Sequence, residues 1–286
     1  MRLLLTGRDG QVGAALLQRL AGSLEATATG RAELDLADPD AIVACVRAVR
    51  PDVIVNAAAY TQVDRAESEP ELAMRVNARA PGILAEEAKR AGAALVHYST
   101  DYVFRGETSR PLTEEDPTAP LNAYGRSKLA GEQAVLAIGG RSLVLRTSWV
   151  YAPQGRNFFL TIARKARARE RLRVVDDQEG VPTSAAFIAR ATLRALQVLQ
   201  SGNLEAGLLH VVPDGSTSWC GFAREIARHV APGVEVEPIA SASYPQAARR
   251  PRHAVLDNRR AKAALGLEAV PWQRLLDDCV EEAGLA

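Results

Sequence analysis

Two side chains suited to proton transfer stand four positions apart in residues 121–128. Tyr124 carries a phenol and Lys128 an ammonium group. If a helix begins after the preceding proline-rich turn, both side chains project from one face, one turn apart. A nearby positive charge favours the ionised phenol, so Lys128 is predicted to lower the pKa of Tyr124 from its usual value of about 10. The pair predicts acid–base chemistry, although this spacing alone also fits a solvated helix face.

The chain opens with a pattern typical of a dinucleotide site. Residues 3–6 are apolar and predict a strand, and residues 14–20 predict a helix. Three glycines lie between them, with two residues separating each from the next, which differs from the Gly-x-Gly-x-x-Gly spacing of simple dehydrogenases. Glycines let a pyrophosphate approach the backbone, and the N–H groups at a helix start attract its charge. A plain tight turn is the alternative. The predicted cofactor residues here are Gly7, Gly10, Gln11, Val12 and Gly13.

The second predicted strand, residues 26–29, ends where an adenosine ribose would lie. Arg31 follows it, and a basic residue at this point favours the 2′-phosphate of NADP over NAD. A surface arginine is the alternative. Asp35, which precedes Leu36, either contacts adenine or caps a turn. A helix is predicted over residues 39–49.

Two later predicted strands end in residues suited to ligand binding. Residues 94–104 form a strand and its exit, with the hydroxyl and acid groups of Ser99, Thr100 and Asp101 at its end. A helix over residues 71–89 precedes it, and Asn77 in that helix is predicted to hold neighbouring loops by hydrogen bonds. Small side chains end the apolar run 51–60, which leaves room for a cofactor at the carboxyl edge of the sheet. They are Ala57, Ala58 and Ala59, followed by Tyr60.

The order of these segments predicts an α/β protein. Strands and helices alternate from residue 1 to about 150, which is typical of a Rossmann-type doubly wound parallel sheet. Beyond Tyr151 the alternation loosens. We predict a dinucleotide-binding domain over residues 1–150, to which the chain returns around 183–200. Residues 151–286 mainly form a smaller, partly interleaved α/β substrate domain, with strands at 172–175 and 208–211 and helices at 157–169, 185–199 and 218–230.

Composition excludes several other classes of protein. The net charge of +1 argues against a nucleic-acid partner, and no apolar segment approaches the length of a membrane span. Residues 1–6 do not resemble a signal peptide. The three scattered cysteines argue against a disulfide framework and for a cytoplasmic location. The four histidines are predicted to lie at the surface or to be satisfied internally.

Four segments, in order, carry a closer resemblance. They are NAAAYTQVD at residues 56–64, STDYVF at 99–104, RTSWVY at 146–151 and VDDQEGVPT at 175–183, with Tyr124 and Lys128 between the second and third. Together with the glycine-rich turn, they resemble the dTDP-4-dehydrorhamnose reductase family of extended short-chain dehydrogenases/reductases. The resemblance covers nearly the whole chain. It implies reduction of the 4-keto group of dTDP-4-dehydro-L-rhamnose to dTDP-L-rhamnose, with NADPH or NADH as the cofactor.

The resemblance also implies roles for individual residues. Tyr124 would protonate the developing alkoxide, Lys128 would lower the pKa of Tyr124 and hold the nicotinamide ribose, and Thr100 would bind the keto oxygen. Each of three residues has an alternative role: Trp149 packs between domains, Asp101 only orients Thr100, and Asn157 caps a helix. The implied substrate residues are Val63, Asp64, Thr100, Asp101, Tyr102, Trp149, Asn157 and Gln178.

One departure and two alternatives accompany the resemblance. Some members dimerise through Mg²⁺ held by a glutamate two residues after the third glycine, where this chain has Ala15. We therefore predict no metal, and a monomer or a homodimer. The alternatives are a nucleotide-sugar epimerase or dehydratase of the same superfamily, and a non-catalytic regulatory subunit like that of methionine adenosyltransferase. The presence of Thr100, Tyr124 and Lys128 favours catalysis.

Overall fold

A parallel sheet runs through the computed structural model, which describes residues 1–20, 25–202 and 207–285. In chain order the strands are β1 Arg2–Thr6, β2 Glu25–Thr29, β3 Val53–Asn56, β4 Ala94–Thr100, β5 Ser142–Thr147, β6 Val150–Tyr151, β7 Leu172–Val175, β8 Glu179–Gly180, β9 Thr183–Ser184, β10 Gly207–His210, β11 Thr217–Ser218 and β12 Val236–Ile239. Six of them form the central sheet in the order β2-β1-β3-β4-β5-β10. All its pairs are parallel, which confirms the predicted Rossmann-type α/β class.

The strand order places a crevice beside β1. The chain passes from β1 out to β2 and then returns to β3 on the opposite side of β1. Ligands of open α/β sheets bind outside the carboxyl ends of the strands where the order reverses in this way. The turn that begins at Gly7 follows β1 directly, so the fold brings this turn to the crevice.

Ten α-helices flank the described strands. They are α1 Gln11–Leu20, α2 Pro39–Val49, α3 Pro70–Met74, α4 Ala80–Ala91, α5 Ala123–Ile138, α6 Phe158–Arg167, α7 Ala185–Gln200, α8 Trp219–Val230, α9 Arg259–Leu265 and α10 Trp272–Glu282. The predicted helix over residues 71–89 is present, but a π-helical turn, Arg75–Arg79, interrupts it and separates α3 from α4. Asn77 lies in this turn, and such turns often occur at functional sites.

Polar side chains cap the starts of five helices. Asp38 caps α2, accepting from two backbone N–H groups, and Asn122 caps α5. Asn157, Ser184 and Ser218 cap α6, α7 and α8 in the same way. A capping side chain satisfies N–H groups that have no partner within the helix. These local signals explain why the predicted helix starts lie within a few residues of the observed ones.

The two faces of the sheet are covered by different helices. Leu3 and Leu5 pack towards α1 and α7, whereas Leu4 packs towards α2, α4 and α5. This alternation follows from the two-residue period of a strand. A third apolar cluster is rich in aromatic residues and joins α6, α8 and α10 to β7 and β12. No helix within the described ranges is long and apolar enough to span a bilayer.

Two predicted strands are shorter than their apolar runs. β3 covers only residues 53–56 of the predicted run 51–60, and β4 ends at Thr100, where a 3₁₀-helix over Asp101–Val103 begins. The chain returns to the sheet through α7 and β10, since α7 contacts α1 and β10 pairs with β5. The division into two domains at residue 150 stays a prediction.

Candidate active site

A cleft of about 1170 Å³ opens at the carboxyl edge of the central sheet. One wall is formed by the ends of β1 to β4 and the start of α5, and the other by residues 147–150 and 154–157, Phe158 and Trp219. Gly13, Asp64 and Gln178, which were predicted to bind ligands, do not line it. The predicted residues that do line it are Gly7, Gly10, Gln11, Val12, Arg31, Asp35, Leu36, Ala57, Ala58, Ala59, Tyr60, Val63, Thr100, Asp101, Tyr102, Tyr124, Lys128, Trp149 and Asn157.

The glycine-rich turn depends on two positions without a side chain. Gly7 has φ +76°, and a Cβ there would lie 2.6 Å from the backbone nitrogen of Ala58. A Cβ on Gly13 would lie 2.1 Å from the carbonyl oxygen of Gly7, so glycine lets α1 start directly against the turn. Gly13 therefore acts through packing. The N-terminus of α1 then faces the cleft with the N–H groups and the dipole that suit a pyrophosphate.

The adenosine end of the cleft carries charges of both signs. Arg31 is exposed, lines the cleft and has no ion-pair partner among the described residues. Arg8 instead pairs with Glu33 over 2.6 Å, and Glu33 also accepts a hydrogen bond from the Gly30 N–H over 2.9 Å. Asp35 accepts a hydrogen bond from the Ala37 N–H over 2.9 Å. It therefore caps a turn, which was one of its two predicted roles.

Tyr124 stands in the first turn of α5, where Asn122 caps the helix. Burial raises the pKa of the Tyr124 phenol to about 12, while the neighbouring Thr100 hydroxyl acts in the opposite direction. The prediction that its pKa is lowered by Lys128 was therefore wrong. The Nζ of Lys128 donates to the Tyr98 carbonyl over 2.6 Å instead. A phenol with a raised pKa stays protonated at neutral pH, which is the state that a general acid requires.

Lys128 belongs to a buried polar chain that reaches the glycine-rich turn. Its Nζ lies 3.4 Å from Nε2 of His97, whose Nδ1 lies 3.1 Å from Nδ2 of Asn56. Asn56 accepts in turn from the Thr6 hydroxyl over 2.6 Å. Burial lowers the pKa of Lys128 to about 8, and burial together with the Lys128 charge lowers that of His97 well below its ordinary value. The chain couples the end of β1 to α5.

His97 is a site residue that the sequence prediction missed. It is satisfied internally, as predicted for the histidines, but its partner is the lysine of the predicted catalytic pair. One signal pointed to this arrangement. His97 is two residues from Leu95, which packs on the α5 side of the sheet, so the period of the strand directs His97 towards the same helix.

Thr100 and Asp101 form a second buried pair at the end of β4. The Thr100 hydroxyl donates to Oδ1 of Asp101 over 2.9 Å and accepts from the Tyr102 N–H over 3.2 Å. Burial raises the pKa of Asp101 to about 7, although these hydrogen bonds act in the opposite direction. Asp101 thus orients Thr100, which was one of its two predicted roles.

Several buried polar atoms at the cleft have no hydrogen-bond partner within the described residues. Each belongs to a residue that lines the cleft, and buried polar groups are normally paired. Together with the glycine turn and the start of α1, they fit a dinucleotide and a second polar ligand. These atoms are Oε1 of Gln11, Oγ of Ser99, Oδ2 of Asp101 and Oγ1 of Thr147.

A pair of indoles forms the opposite wall of the cleft. Trp149 stacks on Trp219 with 3.7 Å between ring centroids and 9° between planes. Phe158 packs against Trp219 with its centroid at 4.6 Å. Trp149 has φ +44°, and Gly180 makes room for its ring, since a Cβ there would lie 2.6 Å from Cε2. The sequence prediction missed Trp219 because no sequence pattern indicates that it contacts Trp149, 70 positions earlier.

The remaining predicted site residues have other partners. Oδ1 of Asn157 accepts from the Leu160 N–H over 3.0 Å, so Asn157 caps α6 while also lining the cleft. Gln178 is buried and donates to the Ser241 hydroxyl over 3.0 Å. Asp64 pairs with Arg250.

Asn77 holds two loops together, as predicted. Its side chain accepts a hydrogen bond from the N–H of Tyr60 and donates to the Tyr60 carbonyl and to the Ser127 hydroxyl.

A buried ion pair anchors the helix that carries Tyr124 and Lys128. Glu132 of α5 binds Arg146 of β5 through two hydrogen bonds of 2.8 and 2.6 Å. Both side chains are at most 4% exposed, and the guanidinium lies 4.9 Å from the centroid of the Phe104 ring. Removing one partner of such a pair leaves a buried charge and typically costs about 3–5 kcal/mol.

The sequence of the whole chain places it among known proteins. The family model described as the RmlD substrate binding domain matches residues 1–284. A dTDP-4-dehydrorhamnose reductase from Burkholderia thailandensis is 44% identical over 99% of this chain and 99% of the relative. The chain belongs to the dTDP-4-dehydrorhamnose reductase family. The reductase of Escherichia coli K12 is 42% identical over 96% of this chain and 95% of its own length.

Solved structures of this reductase family share the fold. The dTDP-4-dehydrorhamnose reductase of Clostridium acetobutylicum superposes with a TM-score of 0.93 at 35% identity, covering 99% of this chain and 100% of the relative. That of Bacillus anthracis, in complex with NADP, gives 0.92 at 33% identity, covering 98% and 99%. A UDP-glucose 4-epimerase from Thermus thermophilus gives 0.81 at 21% identity and shares the fold alone. The predicted resemblance to this reductase family is confirmed.

Proposed function

We propose that this protein is an enzyme that reduces the 4-keto group of dTDP-4-dehydro-β-L-rhamnose to dTDP-β-L-rhamnose. NADPH is the proposed electron donor, and NADH is the alternative. The observation that carries the proposal is the meeting of two hydroxyl groups at the cleft. Thr100 and Tyr124 both line the cleft beside the buried Lys128, in a chain that matches this reductase family over residues 1–284.

The chemistry follows from what a ketone needs to become an alcohol. A bound dihydronicotinamide supplies a hydride to C4 of the sugar. The keto oxygen then gains negative charge, and the hydroxyls of Thr100 and Tyr124 are the donors aimed at it. Tyr124 gives its proton to this oxygen because its raised pKa keeps the phenol protonated until an alkoxide, the stronger base, develops.

The cofactor would lie along the first four strand ends. Its pyrophosphate would bind at Gly7, Gly10 and the start of α1, and the small side chains of residues 57–59 leave space below it. Arg31 is the cation available to a 2′-phosphate, which favours NADPH. Lys128 would reach the hydroxyls of the nicotinamide ribose.

The sugar nucleotide would lie between the Tyr124 side and the Trp149 side of the cleft. Among the predicted substrate residues, Val63, Tyr102 and Asn157 line this space. Asp64 and Gln178 do not, so we assign them to supporting positions. We further propose a cytoplasmic monomer or homodimer with no macromolecular partner needed for catalysis. All three cysteines are free, which suits a reducing compartment.

The test follows dihydronicotinamide absorbance with enzymatically generated dTDP-4-dehydro-L-rhamnose, beside the UDP and GDP analogues. We expect net NADPH oxidation with the dTDP substrate and little with the other two. An epimerase or dehydratase would convert the sugar without net oxidation, and a regulatory subunit would do neither. Either result would overturn the proposal.

A variant links the activity to the phenol. Tyr124→Phe is expected to lower kcat by about 10²- to 10⁴-fold while NADPH affinity changes little, because it removes only the proton donor. The exposed Tyr244→Phe serves as the matched control and should keep full activity. Near-normal turnover in Tyr124→Phe would mean that another group donates the proton.

A further inference from the structure

A segment near the carboxyl end of the chain lies against the loops and the helix start that carry the candidate active site. We call residues 248–257 the C-terminal strap. Its backbone N–H at Ala248 donates to Asp64 over 3.0 Å, and its carbonyl at Arg249 accepts from Asn122 over 2.7 Å. Further along, the His253 N–H donates to the Gly106 carbonyl over 3.1 Å. The strap therefore joins the loop after β3, the loop after β4 and the cap of α5, none of which is near it in sequence.

Arg250 is the side chain that fastens the strap. Its guanidinium binds Asp64 through both nitrogens, with Nη1–Oδ1 and Nη2–Oδ2 distances of 3.0 and 2.6 Å. Nη1 also donates to the Ala248 carbonyl over 2.7 Å. The Arg250 side chain is only 11% exposed. A bidentate pair of this kind fixes orientation as well as distance.

Arg250 also lies against the ring that touches the proton donor. Burial raises the pKa of the Tyr102 phenol, and the positive charge of Arg250 beside it acts in the opposite direction. The Tyr102 ring meets the Tyr124 ring edge-on, with 5.6 Å between centroids and 78° between planes. Next to Tyr124, Gly125 fits closely under Tyr102, since a Cβ there would lie 2.3 Å from the Tyr102 carbonyl oxygen.

The start of α5 receives a second constraint from the same segment. Asn122 accepts from the Gly125 N–H over 2.7 Å and so sets where the helix begins. Its amide nitrogen is held by the Arg249 carbonyl, the residue directly before Arg250. Tyr124 is therefore fixed from its ring face through Tyr102 and from its backbone through Asn122, and both contacts lead to the strap.

We propose that Arg250 is a positioning residue for the proposed reduction: paired with Asp64, it holds the strap so that Tyr102 and Asn122 fix Tyr124. This inference rests on the proposed function for its catalytic readout. It also gives Asp64 a role as the partner of Arg250 and removes it from the substrate contacts. The competing role is direct binding of the substrate diphosphate by Arg250, in which case Asp64 would compete with the substrate.

The test compares Arg250→Met, Asp64→Asn and the double variant with the wild-type chain. The matched control is Arg249→Met, because the Arg249 side chain is exposed and its contact to Asn122 uses only the backbone. Rates are normalised to the concentration of NADPH-binding sites, so that a loss of folded protein does not count as a loss of turnover. Near-UV circular dichroism reports the packing of the two tyrosine rings.

We expect Arg250→Met to lower kcat by about tenfold or more, because small misplacements of a catalytic group are costly. KM for the sugar nucleotide should stay within about threefold. Asp64→Asn should lower kcat in the same direction, and the double variant should be little worse than Arg250→Met, since the two side chains act as one unit. The control should match the wild type.

Three results would overturn the inference. A raised KM with kcat intact in Arg250→Met, together with a lowered KM in Asp64→Asn, would assign Arg250 to the diphosphate. Equal behaviour of Arg250→Met and Arg249→Met would leave Arg250 without a role. An unchanged tyrosine signal in Arg250→Met would separate it from Tyr102. This last readout does not depend on activity, so it stays valid if the proposed reduction itself fails.

Discussion

The hydroxyl of Thr100 donates its only proton to Asp101, over 2.9 Å, at the edge of the cleft. The same oxygen already accepts from the Tyr102 N–H. An ionised Asp101 therefore accepts the hydrogen bond that Thr100 would otherwise donate to a keto oxygen. When Asp101 is protonated, its own O–H can donate to Thr100 and the Thr100 proton becomes free for the substrate. The protonation state of Asp101 thus controls a donor of the proposed reaction.

We predict that this control appears in the pH profile of kcat/KM. Burial raises the pKa of Asp101 to about 7, so the neutral acid dominates below that pH and activity should fall as the pH rises through it. Asp101→Asn keeps a neutral donor at all pH values and should remove this fall. The fall that remains should lie near the pKa of Lys128, about 8, where the ammonium is lost. A variant profile that still falls near pH 7 would contradict the assignment.

A second prediction concerns the buried contact between His97 and Lys128. His97→Phe leaves the Lys128 ammonium without one of its polar neighbours, and an unsatisfied buried donor costs about 1–3 kcal/mol. The free energy of unfolding, measured in urea, should fall by that amount.

The same substitution in a Lys128→Met background provides the control. It should cost less there, because no buried cation needs a partner. Equal losses in the two backgrounds would show that the contact with Lys128 contributes nothing, and that His97 acts through packing and its bond to Asn56.

A third prediction uses the space that Gly180 leaves for Trp149. A methyl group at this position would lie within 2.6 Å of the indole, so Gly180→Ala should displace Trp149 from its stack on Trp219. Because these rings form one wall of the cleft, KM for the sugar nucleotide should rise by about tenfold, the effect of losing roughly 1.4 kcal/mol of binding. Tryptophan fluorescence should change with it.

Gly207→Ala is the matched control for that variant. Gly207 also lies in a short strand, but a Cβ there meets nothing within 4 Å. The control should retain both the fluorescence and the KM of the wild type. An unchanged KM in Gly180→Ala despite altered fluorescence would separate the indole stack from substrate binding.

A fourth prediction addresses the choice between NADPH and NADH. Arg31 lines the adenosine end of the cleft and has no ion-pair partner in the described part of the chain, whereas Arg8 is held by Glu33. Arg31→Ser should raise KM for NADPH by about tenfold or more, since a charge-assisted bond to the 2′-phosphate is lost. KM for NADH serves as the internal control and should change little. An equal rise of KM for NADPH and for NADH would show that Arg31 does not bind the 2′-phosphate.

The local elements were predictable because local chemistry determines them. Helix α2 begins at Pro39 after a capping aspartate, and β7 has its predicted limits, residues 172–175. The turn at Gly7 was predictable because few residues other than glycine tolerate its positive φ angle. The exceptions were interruptions within regular segments, above all the π-helical turn around Asn77. Its hydrogen bonds to Tyr60 and Ser127 depend on the assembled fold.

The site was less predictable than the elements that form it. Sequence spacing correctly puts Tyr124 and Lys128 on one helix, but it does not reveal what each side chain meets. Lys128 turns to the Tyr98 carbonyl and His97, so burial determines the pKa of Tyr124. Trp219 contacts Trp149, which lies 70 positions earlier in the chain, and Arg250 contacts Asp64, which lies 186 positions earlier. Contacts over such separations arise only when the chain has folded.

The buried pair of Glu132 and Arg146 has a consequence for how the protein can move. It fixes α5, with Tyr124 and Lys128, to the central sheet through two hydrogen bonds shielded from solvent. Any closure around a ligand must therefore come from the other wall, where α6 and α8 carry Phe158 and Trp219. In such a closure the proton donor would keep its place on the sheet while the aromatic wall approached it. The timing of a catalytic cycle would then be set by the aromatic wall and not by the residues that perform the chemistry.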